Sequence, residues 1–119
     1  METINLLQKF SLFNDHWSPK IIGELNGQEI KLAKVKGEFV WHNHKDEDEL
    51  FFIVKGKLKI ELESKTVEIG EGEMFIVPKG VEHKPVAEEE TWIMLFEPKD
   101  IRHTGEVQHE LTVSKYDHL

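Results

Sequence analysis

Gly37-Glu-Phe-Val-Trp-His-Asn-His-Lys-Asp-Glu-Asp-Glu-Leu-Phe-Phe-Ile-Val-Lys-Gly56 and Gly72-Glu-Met-Phe-Ile-Val-Pro-Lys-Gly-Val-Glu-His83 carry three of the seven histidines in this chain. Residues two apart on an extended strand project from one face, roughly 6.6 Å apart along the backbone. The imidazoles of His42 and His44 can therefore converge on a single ion, at about 2.0–2.1 Å if it is zinc. Beyond a tight acidic loop, Glu49 can open the neighbouring strand and face the same cavity. His83, after Pro-Lys-Gly, completes the set if the sheet folds back. Three neutral imidazoles and one carboxylate suit a divalent first-row transition metal.

The two stretches resemble the paired motifs of the cupin superfamily, G-x5-H-x-H-x(3,4)-E-x6-G and G-x5-P-x-G-x2-H-x3-N. His42-x-His44-x4-Glu49-x6-Gly56 and Gly72-x5-Pro78-x-Gly80-x2-His83 match residue by residue, across a fifteen-residue insert from Lys57 to Glu71. Gly37 stands one residue too close to His42, which touches a turn and no ligand. Ala87 takes the place of the terminal Asn, so any polar role of that Asn is missing. The resemblance implies a metal set of His42, His44, Glu49 and His83. Asp48, one residue from Glu49, is its rival for the carboxylate place, and the six residues up to Gly56 favour Glu49. It also implies an all-β, double-sheet jelly-roll barrel, holding one divalent transition metal per chain: Fe, Mn, Ni, Co, Cu or Zn.

A chain of 119 residues is expected to form one domain, 1–119, with a barrel core over about 20–97. No run approaches the roughly 18 apolar residues of a membrane span, and the N-terminus lacks the basic start and cleavage site of a secretory signal. A cytoplasmic location is the default expectation. With no cysteine, any metal must sit on nitrogen and oxygen. A net charge of −8 repels nucleic-acid phosphates and anionic lipid heads, so neither nucleic acid nor membrane is an expected partner. The runs Asp46-Glu47-Asp48 and Glu88-Glu89-Glu90 read as solvated loops.

Outward from the motifs the punctuation is that of short strands. Before them, Leu6, Leu7, Phe10 and Phe13 follow Thr3 at helical spacing, which predicts a short N-terminal helix. Strands are expected over Lys20–Leu25 and Gln28–Val35, joined at Asn26-Gly27, the strongest two-residue hairpin signal. Further strands are expected over Phe39–His44, Glu49–Val54, Leu58–Glu63, Thr66–Ile69, Met74–Val77, Glu82–Ala87 and Thr91–Phe96. Pro78 to Val81 suits a type I turn, and Pro98 stops the sheet. The tail from Ile101 holds one more strand around Glu110–Val113 or none.

Parity assigns the faces. If Glu49 points inward, so do Phe51 and Ile53, while Leu50, Phe52 and Val54 point out and need cover. The N-terminal segment or a second chain, as a homodimer, can supply it. Phe51, Ile53, Leu58, Ile60, Met74 and Ile76 read as core and cavity wall, and Trp41 as outer packing. His16, His103, His109 and His118 read as surface residues.

Two functions of different class remain. One is a small metalloenzyme acting on a small organic molecule, with the dioxygenation, isomerisation or sugar-phosphate chemistry that the resemblance implies. The other is a metal-assisted binding module without turnover. No Tyr, Lys or Arg has a clear inward place, and an inward polar residue near the metal that no ligand requires would separate the two.

Overall fold

The computed structural model describes residues 1–99 and 116–119. The N-terminal helix is shorter than its pattern: α1 is Leu6–Phe10, begun by Asn5, whose side chain accepts the Gln8 amide at 3.0 Å. Strands β1 (Lys20–Leu25) and β2 (Gln28–Glu38) form the expected hairpin. Asn26 and Gly27 both take positive φ, 51° and 76°, as a tight turn matched to strand twist requires. Then come β3 (Glu49–Lys55), β4 (Leu58–Leu62), β5 (Thr66–Ile69) and β6 (Met74–Val77). The 16-residue β7 (His83–Pro98) follows, and β8 (Asp117–His118) lies parallel to the start of β1.

The expected double-sheet jelly-roll barrel does not form. The described strands make one open sheet in the order β5-β4-β7-β2-β1-β8, with β3 pairing β7 and β6 off that path. The reason lies in the ladders. Among the described residues, β5, β6 and β8 each pair along a single neighbour, so no hydrogen-bonded row there joins the ends. Strand β7 organises the rest. Residues 83–86 of β7 pair with β4 and 92–96 with β3, and β2 runs beside 86–98, interrupted at 88–90.

Three further expectations are corrected. Residues 82–87 and 91–96 belong to one strand, because Glu88, Glu89 and Glu90 do not break it as a loop. They project as an exposed bulge opposite the register shift between Val35 and Gly37. The stretch from Phe39 to His44 is no strand beyond an isolated bridge at His42. The turn at Pro78 closes through Val81 N to Pro78 O at 3.2 Å, which puts Gly80, at φ 79°, third; that position favours type II over type I. The strand considered around Glu110–Val113 lies outside the described residues.

Face parity holds on β3: Glu49, Phe51 and Ile53 are buried and the residues between them half-buried. It fails on β6. Phe51 pairs with Phe75 and Phe52 with Met74, so Phe75 and Val77 share the inner face while Met74 and Ile76 stand 61% and 48% exposed. The main core gathers Phe51 and Ile53 of β3, Leu58 and Ile60 of β4, Ile69, Val77, and Ile93 and Leu95 of β7. A second cluster on the other side, around Phe10, Phe13 and Leu32, takes in Val54 and Trp92. The N-terminal segment thus covers Val54.

Candidate metal centre

His42 arrives on the irregular stretch after β2 and His83 at the first position of β7, and the backbone joins them. Each donates its amide to the other's carbonyl, His42 N to His83 O at 3.0 Å and His83 N to His42 O at 2.9 Å. The neighbouring loops are stitched in the same way: Gly80 N donates to His44 O at 2.8 Å, and Lys79 N to Asp48 Oδ1 at 2.9 Å. Asp48 therefore clamps the loop, and Glu49 faces inward at the first position of β3.

All four residues predicted as ligands are buried, and one donor atom from each lies within 4.8 Å of the others. Two rings are held by their far nitrogens. His42 Nδ1 lies 2.9 Å from Val40 O and His83 Nδ1 2.9 Å from Val81 O, contacts that place a proton on Nδ1 and leave Nε2 free to accept an ion. Glu49 Oε1 sits 3.2 Å from His83 Nε2 and 3.3 Å from His44 Nε2. Among the described residues, buried His42 Nε2 has no hydrogen-bond partner, and buried His44 Nε2 has only the Glu49 contact, which does not form a hydrogen bond. Burying a polar atom unpaired costs on the order of 1–3 kcal/mol. Two such atoms beside a buried carboxylate are what a cation site requires, and the donor set fits a divalent transition metal.

Electrostatics differ around the ring of donors. Burial, helped by the charge of His83 and opposed by Glu49, pushes the His42 imidazole down to about 4. For His44 burial acts the same way, but the Glu49 carboxylate outweighs it and the net shift is upward. Burial opposes ionisation of Glu49, yet contacts with His44 and His83 hold its carboxyl well below the usual range. His42 is thus held neutral and ready to ligate, whereas the Glu49 carboxylate favours the protonated form of His44.

The cupin domain pattern matches residues 29–97. The chain belongs to the cupin family. A cupin-2 domain containing protein from Shewanella frigidimarina is 52% identical, with 82% of this cupin and 95% of that chain covered and a TM-score of 0.81. A Neisseria meningitidis protein is 35% identical, covering 82% and 100%, with a TM-score of 0.76. The uncharacterized protein YdbB of Bacillus subtilis is 38% identical over 64 residues, which are 53% of this cupin and 57% of that relative.

Beside the cupin ligands lies a cavity of about 30 Å³, walled by Trp17, Ala33, Val35, Phe39, Phe51, Ile93 and Leu95, with His42 and Glu49 at its edge. The Trp17 ring stacks on Phe39 at 4.5 Å, and Phe39 meets the His42 ring edge-on at 5.6 Å. Trp41 is 45% exposed, consistent with its reading as an outward residue. His16 and His118 are exposed, as expected. His103 and His109 lie outside the described residues.

The sequence reading missed three inward charges. Glu29, Lys31 and Glu97 are all buried, with Lys31 Nζ 3.2 Å from Glu97 Oε1 and 3.9 Å from Glu29 Oε1. The Tyr116 ring covers the same ammonium at 4.0 Å. Burial first, then repulsion from Glu49, raises the Glu97 carboxyl to about 7 against the pull of Lys31. The available signal was parity on β7. Ile93 and Leu95 lead to Glu97 on one face, but ending the strand at Phe96 cut it off.

Proposed function

We propose that this cupin holds one divalent transition-metal ion on His42, His44, Glu49 and His83, and is a small metalloenzyme acting on a small organic molecule. The observation that carries the metal assignment is the convergence of four buried residues with donor atoms within 4.8 Å, two of them imidazole nitrogens that make no hydrogen bond among the described residues. Four protein ligands leave one or two positions open on such an ion, which when bound polarises an oxygen-bearing ligand. The chain's own residues supply the rest. Val40 and Val81 fix two imidazoles through their carbonyls. Apolar walls from Trp17, Phe39 and Phe51 exclude bulk water from one side. Glu97, paired with Lys31, adds a buried carboxyl on the inner face, one strand away from Glu49.

That pair favours an enzyme over a passive binding module, since no ligand contact requires a buried carboxylate with a carboxyl raised toward neutrality. The reaction class we favour is dioxygenase-like or isomerase-like. The deciding experiment begins with elemental analysis of protein purified without chelator or affinity nickel. Oxygen uptake and product formation by the Fe(II)-loaded protein are then followed with diketones, catechols and thiols, and isomerisation in the absence of oxygen. Metal uptake with turnover of any of these supports the enzyme. Metal uptake with ligand binding and no turnover across the panel supports the binding module instead, and no metal uptake sinks both.

A further inference from the structure

We propose that the cavity bordered by His42 and Glu49 is a subsite for a small apolar group of about two heavy atoms, and that it admits no ring. The inference rests on the metal reading above and narrows its substrate class. Size decides the upper limit. About 10–15 Å³ suffices for one water-sized occupant, whereas a benzene ring takes a cavity on the order of 150 Å³. At about 30 Å³ the space fits a diatomic gas or the short alkyl end of an organic molecule. These two occupants share one chemistry. A catechol ring would have to approach the ion from outside the cavity.

The wall decides the polarity. Pro19 and Pro85, which also line the space, have no backbone N–H to offer. The one donor of the Trp17 indole is already engaged, since Nε1 donates to Lys36 O at 2.9 Å. A buried water needs roughly two to four polar partners. Among the lining side chains only His42 and Glu49, at the edge, carry free polar atoms, and both are assigned to the ion. The aromatic wall is held in place by the backbone. Trp17 stands at φ 57°, uncommon for so large a side chain, and its amide donates to Lys34 O at 2.9 Å. Two carbonyls of β2 thus fix the indole where it stacks on Phe39. Ala33, opposite Ile93 on β7, is the smallest side chain of the wall, so the room depends on it.

The first arm of the test uses the metal-free chain under dioxygen pressure, with paramagnetic relaxation of methyl protons as the readout. Methyls of Val35, Ile93 and Leu95 should relax several-fold faster than those of Leu32, which is equally buried but lies in the second cluster. Ala33→Val, which puts further methyl carbon into the space, should remove that excess. Val35→Ile repeats the comparison if Ala33→Val does not fold. Leu32 relaxing as fast as the cavity methyls, or an excess that survives both substitutions, overturns the inference and leaves the metal reading standing.

The second arm separates the two occupants. Formamide, acetamide, propanamide, butanamide and pentanamide are titrated into the Co(II)-loaded chain, whose visible absorption reports entry to the coordination sphere. If an alkyl end enters, affinity should rise about fourfold per added carbon as far as propanamide and then fall. Affinity that ignores chain length, together with the dioxygen signal, assigns the cavity to a free gas. A gain that continues through pentanamide overturns the size limit. Failure to take up cobalt overturns the metal reading, while the first arm, run without metal, still decides the cavity.

Discussion

His42 and His83 stand 41 positions apart in the chain and are hydrogen-bonded to each other through both backbone amides, at 3.0 and 2.9 Å. The pairing sets their rings 4.3 Å apart between centroids. Half of the donor set is therefore positioned by backbone ladder bonds.

The first prediction concerns the set itself. His42→Ala, His44→Ala, Glu49→Gln and His83→Ala should each weaken divalent-metal binding by more than the roughly 10–100-fold that supporting residues contribute. Asp48→Asn should leave the affinity unchanged, because Asp48 binds the Lys79 amide. Titration calorimetry should give one ion per chain for the parent. Full-affinity binding by His83→Ala would show that the second motif only forms a turn.

Metal removal should leave the sheet standing. The main core is apolar and does not include the ligands, unlike a zinc finger, which unfolds without its ion. Circular dichroism of the metal-free protein should retain its β signal. The melting temperature should rise on adding metal, in proportion to about 2.7 kcal/mol at one hundred times Kd. A metal-free chain without β signal at room temperature would contradict this.

Acid should act on the metal-free fold through His42. The unfolded chain takes up a proton on this residue near 6.5, the folded chain only at about 4. Between those values the unfolded state binds more protons, so stability falls as pH falls, by up to about 3 kcal/mol from this group. His44, shifted the other way, offsets part of the loss. Protonation of this imidazole competes with the ion, so metal affinity should fall as the solution is acidified. Urea midpoints of the parent and His42→Gln across pH 4–7 read the first effect: the parent should lose stability more steeply. Equal slopes would count against a neutral buried His42.

Gly56→Ala should destabilise strongly. Gly56 has φ 92°, and an added Cβ would come within 2.8 Å of Thr91 Oγ1 and 3.2 Å of Glu90 O. Strain at such a position is worth on the order of 1–3 kcal/mol, before the clash is counted. Gly37→Ala, at φ 85° with open space around it, should lose less. Denaturant unfolding of the two variants decides the order.

A second copy of the chain should cover the outer face of β3 and β6. With Val54 under the N-terminal segment, Leu50 and Phe52 remain half-buried beside exposed Ile76 and Met74, their cross-strand partners. Sedimentation at micromolar concentration should give a species of twice the 13.9 kDa chain mass, and Met74→Glu should split it. A parent that sediments as one chain would sink the proposal.

The spaced histidines, the Asn26-Gly27 hairpin and the β3 parity were legible because each rests on a local rule with one outcome. The β6 parity was not. Met74-Phe-Ile-Val77 is apolar at every position, and only pairing with β3 decides which two residues turn inward. Glu88-Glu-Glu90 looked like a loop because a bulge and a turn share the same composition. The inward Glu29–Lys31–Glu97 group was hidden because β2 mixes charge and apolar residues on both faces. Lys31 and Val35 point one way, Leu32 and Lys34 the other. Sheet closure depends on long-range ladders that no short stretch encodes, and the expected barrel failed there.

The stack of Trp17 on Phe39, itself edge-on to His42, gives the protein a built-in optical probe. The indole stands two aromatic rings away from the candidate ion, so a paramagnetic metal there should quench its emission while zinc leaves it bright. Trp92 lies with Phe10 in the second cluster and Trp41 faces solvent. A Trp17→Phe change should therefore remove the metal-sensitive part of the fluorescence and leave the rest, so that occupancy can be followed in dilute solution without adding a dye.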